Sequence, residues 1–428
     1  MKSRSRIRRT ENSHTPCKGP AAWNVWAFMT LLCISVHAIA QEAPGYVSQG
    51  YTDQVINRAE RFFGINPGSK NLAQEVAFFS DDIDVRHIAF SPDGKYLAVT
   101  SMAQYTPQDF EVHIWDWRHE KIIHILERTH EDNLTVQEGL KWSPDGKFLA
   151  SCLGRSWTSE AIIRIWNVSD WSVATDIIDH NHYGDCTSIA FSPDSQFLIR
   201  AVNRGDHGIG DDHVLIYDTH TWQKVEGFKL IPYFYPSVLS LSSSGRLMAV
   251  AGQIIIPNYP GTTQEQEAIN YDHGSSSILV YDIKKGTLLR NIRVEPFMIN
   301  KVSIFPPYSV TISPDERYVM AGVEAVAQPS PSNPYYKFPA LPIYSVATGQ
   351  EIAAIHEHES AKVVSVRFLH HGRYLVVSEV DGYIQFWKFP EMRLVQEVKG
   401  EASSLAVSPD GQYLAGGGYK KILVWKIH

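Results

Sequence analysis

The sequence contains few cysteines and lacks the short motifs of several common enzyme classes. Four cysteines in 428 residues are too few for a fold built on a dense disulfide framework. No Cys-x-x-Cys-His segment occurs, which excludes covalently bound c-type haem. There is also no Gly-x-Ser-x-Gly elbow and no phosphate-binding glycine loop between a strand and a helix. An α/β-hydrolase domain and a nucleotide site are therefore unsupported, and no cofactor is expected.

Positive charge is not in excess either. The formal net charge is −7 at pH 7, and six of the 39 lysines and arginines lie between Lys2 and Lys18. The rest of the chain is therefore more acidic than the whole. This argues against nucleic acid or an anionic membrane surface as the main partner.

One long apolar run, from Ala21 to Ala40, follows the basic opening. It ends in Ala38-Ile39-Ala40-Gln41, which is typical of a signal-peptidase cleavage site. We interpret residues 1–40 as a secretory signal peptide, which predicts an exported protein, periplasmic or secreted. The alternative is that residues 21–40 stay uncleaved as an inner-membrane anchor, which would be the only membrane contact. The sequence does not define the oligomeric state.

A short segment, Phe90 to Val99, recurs along the chain. Its Ser-Pro-Asp-Gly centre predicts a tight turn, because proline pre-sets φ, the polar side chains bond the local backbone, and glycine tolerates positive φ. The flanking residues alternate between apolar and small or polar types, so each copy predicts a β-hairpin. Seven copies, two of them degenerate, centre on Pro92, Pro144, Pro193, Ser243, Pro314, His370 and Pro409.

A short apolar strand ending on an aromatic residue follows each turn, as in Ile114-Trp115-Asp116. One more short strand follows, so each unit holds four antiparallel strands, named a to d in chain order. The units resemble the WD-repeat (WD40) family through their FSPDG…LA…IWD signature, here in an exported bacterial-type member. The resemblance implies an all-β fold over residues 72–428: a seven-bladed β-propeller of four-stranded antiparallel blades.

The last repeat ends at His428 with no fourth strand of its own. The segment Leu72–Phe79 has a strand pattern and can fill that place, as happens in WD-repeat propellers. We therefore predict that this N-terminal strand completes the last blade and removes an open sheet edge. Residues 41–71 form a lead-in, with a short helix predicted from the apolar stripe between Asp53 and Phe63.

Loop length varies mainly between strands b and c, and between strand d and the next strand a. In an up-and-down meander these connections share one face, while the tight a–b and c–d turns share the other. The long connections carry aromatic residues on proline-stiffened segments, which suits recognition of a protein or peptide. The alternative is that the rings pack on one another to hold the loops. The predicted partner-binding residues are Tyr233, Phe234, Tyr235, Tyr259, Tyr271, Tyr335, Tyr336 and Phe338.

Blade six contains a set of residues that could be mistaken for a catalytic triad. It matches the hydrogen-bonded His-Ser-Asp-Trp network of the WD-repeat family, so the resemblance implies a structural role rather than hydrolysis. No catalytic residue is assigned. The predicted network residues are His358, Ser378, Asp381 and Trp387.

Two other small groups have both a chemical and a structural interpretation. Cys152 and Cys186 are either small buried hydrophobes or, in an exported protein, a disulfide. A loop in the third repeat carries weak candidate ligands for a divalent cation, although a charged hairpin tip is the simpler interpretation. Those candidates are Asp206, His207, Asp211, Asp212 and His213.

These features favour a non-catalytic, exported scaffold or accessory subunit that binds a protein or peptide. The alternative is a hydrolase or lactonase at the mouth of the central channel, with or without a metal. A third interpretation is carbohydrate binding, since tyrosines beside carboxylates also suit sugars. Acidic and imidazole groups converging at the channel would favour the enzyme. The acidic residues expected there are Asp109, Glu160, Asp211 and Glu324.

Overall fold

The computed structural model describes residues 72–102, 111–126, 134–155, 161–179, 184–204, 213–228, 230–232, 234–254, 275–294, 303–304, 307–323, 325–326, 341–355, 362–380 and 382–428. The signal peptide and the lead-in helix, predicted for residues 1–71, lie outside this part of the chain. The described strands belong to one compact unit, Asn71–His428.

The strands form seven blades, numbered from the N-terminal side. Blade one holds the second half of β1 (Ala73–Phe90), β2 (Tyr96–Met102), β3 (Val112–Asp116) and β4 (Lys121–Leu126). Blade two holds β5 (Leu134–Trp142), β6 (Phe148–Arg155), β7 (Ala161–Asn167) and β8 (Val173–Asp179). Blade three holds β9 (Gly184–Phe191), β10 (Phe197–Arg204), β11 (Val214–Asp218) and β12 (Lys224–Phe228).

The remaining blades repeat this plan. Blade four holds β13 (Phe234–Leu241), β14 (Leu247–Ile254), β15 (Ser275–Asp282) and β16 (Thr287–Val294). Blade five holds β18 (Ser309–Ile312), β19 (Tyr318–Gly322), β21 (Leu341–Ser345) and β22 (Glu351–Ile355), beside a separate pair, β17 (Ser303–Ile304) and β20 (Ala325–Val326). Blade six holds β23 (Val363–Leu369), the short 3-10 helix η1 (His370–Gly372), β24 (Tyr374–Glu379), β25 (Tyr383–Lys388) and β26 (Arg393–Lys399). Blade seven holds β27 (Ser404–Val407), β28 (Tyr413–Ile427) and the first half of β1.

Strand β1 joins the first and last blades, which confirms the predicted closure. Its first half pairs antiparallel with β28, with Ala73 opposite Ile427 and Phe79 opposite Ile422. Its second half pairs with β2, so blades seven and one share one sheet. The ring of Phe79 stacks on Trp115 with the centroids 4.9 Å apart. The all-β, seven-bladed prediction is thus confirmed.

The repeated turns have the geometry that their sequence predicts. The Ser91 hydroxyl donates to the Asp93 carboxylate at 2.6 Å and accepts the backbone N–H of Tyr96 at 2.9 Å. The N–H of Gly94 donates to the Ser91 carbonyl at 2.8 Å, and Gly94 has a φ of +69°. In blades three and five, Ser195 (φ 61°) and Glu316 (φ 59°) hold the position of this glycine. Blades two, three, five and seven repeat the serine–aspartate hydrogen bond.

The hydrophobic core lies between the blades rather than at the centre of the ring. Seven clusters of buried side chains each join two adjacent blades. The aromatic residue near the end of every strand c is buried in these clusters, from Trp115 at 5% exposure to Trp425 at 2%. Radial packing of this kind explains why one strand pattern can recur in every unit.

Adjacent blades come closest where a residue of strand b faces strand a of the next blade. A Cβ added to Gly417 would lie 2.2 Å from Val85, and one added to Gly322 would lie 2.7 Å from Val363. At the same point between blades two and three, Cys152 and Cys186 form a disulfide. Both cysteines are fully buried. Of the two interpretations left open by the sequence, the structure has the disulfide.

Candidate functional site

The two faces of the disc differ in how their connections are built. On one face, here called the turn face, the a–b and c–d connections are turns of a few residues, such as 91–95 and 117–120. The b–c and d–a connections leave from the opposite end of the strands, here called the loop face. The antiparallel pairing within each blade requires this alternation.

A shallow pocket of about 360 Å³ lies on the loop face between blades six and seven. Val380 and Tyr419 stand at its edge and are 57% and 52% exposed. Lys421 pairs with Glu401 at 3.0 Å beside it. Blades six and seven therefore present an aromatic and an aliphatic side chain to solvent next to a concave surface.

The central channel forms a cavity of about 790 Å³ lined by strand a of all seven blades. The lining extends from Arg86 and Lys362 at the loop-face end to Pro144 and Pro193 at the turn-face end. Serine is the commonest lining residue. Two of these serines also join blades: the Ser309 hydroxyl accepts the N–H of Val366 at 3.3 Å, and the Ser365 hydroxyl accepts the N–H of Leu405 at 3.2 Å.

The charged groups of the channel have one sign. Arg86, Lys141, Lys362 and Arg367 contribute cationic groups, and His87 lies beside them. Among the described residues that line the channel there is no aspartate or glutamate. The Lys362 ammonium group lies 4.0 Å from the centre of the Tyr308 ring. A chain with a net charge of −7 thus has a basic channel at its axis.

Lys141 and Arg367 occupy the same position of the repeat, because each pairs with the equivalent residue of strand b: Lys141 with Ala150 and Arg367 with Val376. The other five blades have small residues at this position: Ala89, Ala190, Ser240, Thr311 and Ala406. Burial, together with the nearby charge of Arg367, lowers the pKa of Lys141 to about 8. Burial lowers the pKa of Arg367 to about 10.

The family comparison agrees with this architecture. The family described as "WD domain, G-beta repeat" matches residues 75–116, 121–167, 349–388 and 392–426. Each matched segment begins in, or just before, strand d of one blade and ends in strand c of the next. The segment 75–116 begins in the first half of β1, which completes blade seven. This chain is a β-propeller that contains WD40 repeats. WD40 propellers generally serve as protein-interaction scaffolds and commonly bind protein partners.

A solved structure shares the propeller's fold. A chain of Kuenenia stuttgartiensis hydrazine synthase superposes with a TM-score of 0.60 at 17% sequence identity, over 81% of this chain and 97% of the synthase chain. At this identity the similarity concerns the fold alone. No curated protein matches the sequence.

Most predicted partner-binding residues of the propeller lie outside the described part of the chain, and two lie within it. Phe234 is fully buried between blades three and four, where it packs with Leu230 and Met248. Its ring fits because Gly252 has no side chain: a Cβ there would lie 2.9 Å from it. Phe234 is therefore a core residue, which corrects the prediction that it contacts a partner. Tyr235, the next residue, is half-buried. The undescribed residues are Tyr233, Tyr259, Tyr271, Tyr335, Tyr336 and Phe338.

Two of the four residues in the predicted network of blade six lie in the described part of the chain. The Trp387 indole N–H donates to the Gln385 side chain at 3.1 Å, and the Ser378 hydroxyl donates to the backbone carbonyl of Ala402 in blade seven. Ser378 therefore helps to join blades six and seven. His358 and Asp381 lie outside the described residues, so their part of the network stays a prediction.

The weak metal candidates and the acidic channel residues are mostly undescribed. His213 is buried, with 3% exposure, while Asp206, His207, Asp211 and Asp212 fall outside the described residues. So do Asp109, Glu160 and Glu324. Within the described part of the chain, no group of three or more His, Cys, Asp or Glu residues is arranged to hold a metal ion. In the same part, no helix is long and apolar enough to cross a bilayer.

The basic channel was not predicted. Its signal was nonetheless present in the aligned repeats, where Lys141 and Arg367 directly precede Trp142 and Phe368, the aromatic residues at the end of strand a. Strand alternation puts the residue before a buried aromatic on the opposite side of the sheet. In this propeller, Lys141 and Arg367 at that position line the channel.

Proposed function

We propose that this WD40 propeller is a non-catalytic, exported scaffold that binds a protein or peptide on its loop face. The proposal rests on the difference in connection length between the two faces of the disc. Every described a–b and c–d connection is a tight turn, so all long connections arise on the loop face. A rigid ring that holds variable loops on one side is a common way to build a recognition surface.

The described part of the loop face supports this function. Tyr419 and Val380 are exposed beside a concave pocket, and aromatic anchors at pockets dominate the energy of many protein interfaces. The compact blades six and seven would supply this fixed part of the surface. The aromatic loops of blades four and five would supply the rest of the surface around it.

Export is supported by the disulfide as well as by the N-terminal sequence. Cys152 and Cys186 join two blades in the core, and disulfides persist mainly in oxidising compartments. A periplasmic or secreted location is consistent with a cleaved signal peptide over residues 1–40. Retention through residues 21–40 would instead keep the propeller at the membrane surface.

Affinity capture with three matched baits tests the scaffold function. The first bait is the wild-type chain, and the second carries alanine at four loop-face residues: Tyr259, Tyr335, Tyr336 and Phe338. The third carries alanine at four exposed residues of one repeat position on the turn face: Lys95, Lys147, Gln196 and Gln412. All three must melt at the same temperature, so that lost binding is not lost folding.

The expected result is a protein that the wild-type and turn-face baits retain and the loop-face bait loses. Its Kd for the purified wild-type chain, measured by calorimetry, should rise at least roughly tenfold for the loop-face variant. If the three baits retain the same proteins, or none retains any, the loop face is not the recognition surface.

A further inference from the structure

Two like charges face one channel in the same layer. Lys141 of blade two and Arg367 of blade six lie at one repeat position, and the charge of Arg367 is close enough to act on Lys141. Arg367 donates one N–H to the carbonyl of Val366 at 2.8 Å, and a guanidinium group has five such donors. In the described part of the chain, the Lys141 ammonium group has no hydrogen-bond or ion-pair partner.

Such a pair is unfavourable without an anion. Both residues are half-buried, and like charges in a partly desolvated space repel more strongly than they do in bulk water. Five of the seven blades have alanine, serine or threonine at this position and so add no charge to the channel there. A multivalent anion held between the two cations would offset the repulsion, and the cavity has room for one.

The surrounding groups indicate the chemistry of the anion. Ser240 and Thr311 belong to the same layer and supply hydroxyl groups, and Ser188 lies one step along the channel. A guanidinium on one side, an ammonium on another and hydroxyls between them suit a tetrahedral oxyanion, whose oxygens point in several directions. A carboxylate has two oxygens in one plane and a single charge, so it fits these partners less well.

We infer that the turn-face end of the channel is a binding site for a phosphate group, held between Lys141 and Arg367. The group is either inorganic phosphate or the phosphoryl end of a small phosphomonoester. A cavity of about 790 Å³ accommodates both, since pockets for small molecules range from about 300 to 1,000 Å³. The site lies at the opposite end of the strands from the proposed recognition surface, so it does not depend on that proposal.

Titration calorimetry at pH 7 and constant ionic strength tests the site on the full chain. The probes are inorganic phosphate, methyl phosphate and acetate. Saturable binding of phosphate with a Kd on the order of millimolar or tighter is expected, with acetate at least roughly tenfold weaker. Tighter binding of methyl phosphate than of phosphate would identify a phosphomonoester as the preferred ligand, and the reverse would identify the free ion. No saturable binding of either probe would overturn the inference.

Three variants locate the site. Lys141→Met and Arg367→Met should each weaken phosphate binding roughly ten- to hundredfold. Lys147→Met is the matched control: its side chain is exposed six positions further along the chain, so phosphate affinity should not change. Equal affinity in all three variants would overturn the site. In chloride, the first two should melt no lower than the wild type, because each removes one member of the repelling pair.

A second measurement on the wild-type chain covers the case in which a channel variant does not fold. Crystals soaked in selenate, an oxyanion of the same shape as phosphate, should show anomalous scattering between the Lys141 and Arg367 side chains. A selenium peak elsewhere in the molecule, with none in the channel, would contradict the assignment.

Discussion

The backbone N–H of Asp145 in the turn of blade two donates a hydrogen bond of 2.9 Å to the hydroxyl of Ser195 in the turn of blade three. Ser195 stands where most repeats have glycine and takes a φ of 61°. A conformation that is unfavourable for a residue with a Cβ is therefore combined with a contact that a glycine could not make.

Replacing Ser195 separates these two effects. Ser195→Ala keeps the strained φ and loses the hydrogen bond, so it should lower the free energy of unfolding by about 1 kcal/mol. Ser195→Gly also loses the bond but relieves the strain, so it should be close to neutral. Urea denaturation measures both. The control is Gly146→Ala, at the same position of blade two where a Cβ meets no other atom, and it should cost about 1 kcal/mol through φ alone. Equal values for the two Ser195 variants would show that strain is unimportant.

Glu316 makes a second turn-to-turn contact, and its contribution should depend on pH. Burial raises the pKa of Glu316, but hydrogen bonds from Ser244, Ser242 and Arg246 outweigh it, so the net pKa is lowered. Arg246 Nε donates to Glu316 at 2.9 Å. A depressed folded pKa means that the stabilisation is present above the ordinary value of 4.5 and is lost as the pH falls through the folded pKa.

Glu316→Gln should therefore destabilise the propeller by about 0.5–1 kcal/mol at pH 7, a modest value because Arg246 is half-exposed and solvent screens the pair. The difference between wild type and variant should shrink below pH 4.5. Thermal melts of both proteins from pH 3 to pH 7 measure it. Comparing the two proteins removes the effect of the turn aspartates, which both retain. A difference that is constant over this range would contradict the ionic contribution.

The disulfide should contribute mainly by restricting the unfolded chain. Its cysteines are separated by 34 residues, for which loop-closure entropy gives about 3–4 kcal/mol. The double variant Cys152→Ala, Cys186→Ala should lose that amount in urea denaturation. Reductant should lower the stability of the wild type towards that of the variant and leave the variant unchanged. A variant as stable as the oxidised wild type would show that the bond adds nothing to close packing.

The closing strand should be indispensable. Deleting Leu72–Phe79 exposes the edge of β28 and removes Phe79 from Trp115, while deleting Ile422–His428 removes its pairing partner. Either deletion should abolish soluble folding, as judged by gel filtration and thermal melting. A chain that starts at Asn71 is the control and should melt as the full chain does. A soluble deletion variant that melts cooperatively would refute the requirement.

The sequence is most informative where one residue has one local task. Ser91, Asp93 and Gly94 form their turn through bonds within five residues, so the repeat predicts hairpins, blade number and closure. Tertiary contacts were harder to predict. The close approach of strands that permits the Cys152–Cys186 bond depends on two different blades. The aromatic residues that flank Phe234 predict a loop, but β13 begins there, and the space left by Gly252 makes Phe234 a core residue.

The channel shows a different limit. Lys141 and Arg367 are far apart in sequence, and neither is unusual in its own strand. Only the closed ring brings them to one axis. They stand out as a charged pair because the other five blades have small residues at the same position. Distances that arise from ring closure cannot be obtained from spacing along the chain.

Strand β1 belongs to both blade seven and blade one, and this also determines when the propeller can be completed. Ala73 is among the first described residues to be synthesised, and its partner Ile427 follows it by 354 residues. The ring therefore cannot close until Ile427 has been synthesised, and contacts of such high sequence separation form slowly. If the chain is exported, this delay is useful. A propeller that cannot close before β28 exists remains open until then, and a chain in that state can still be threaded through a membrane before it folds.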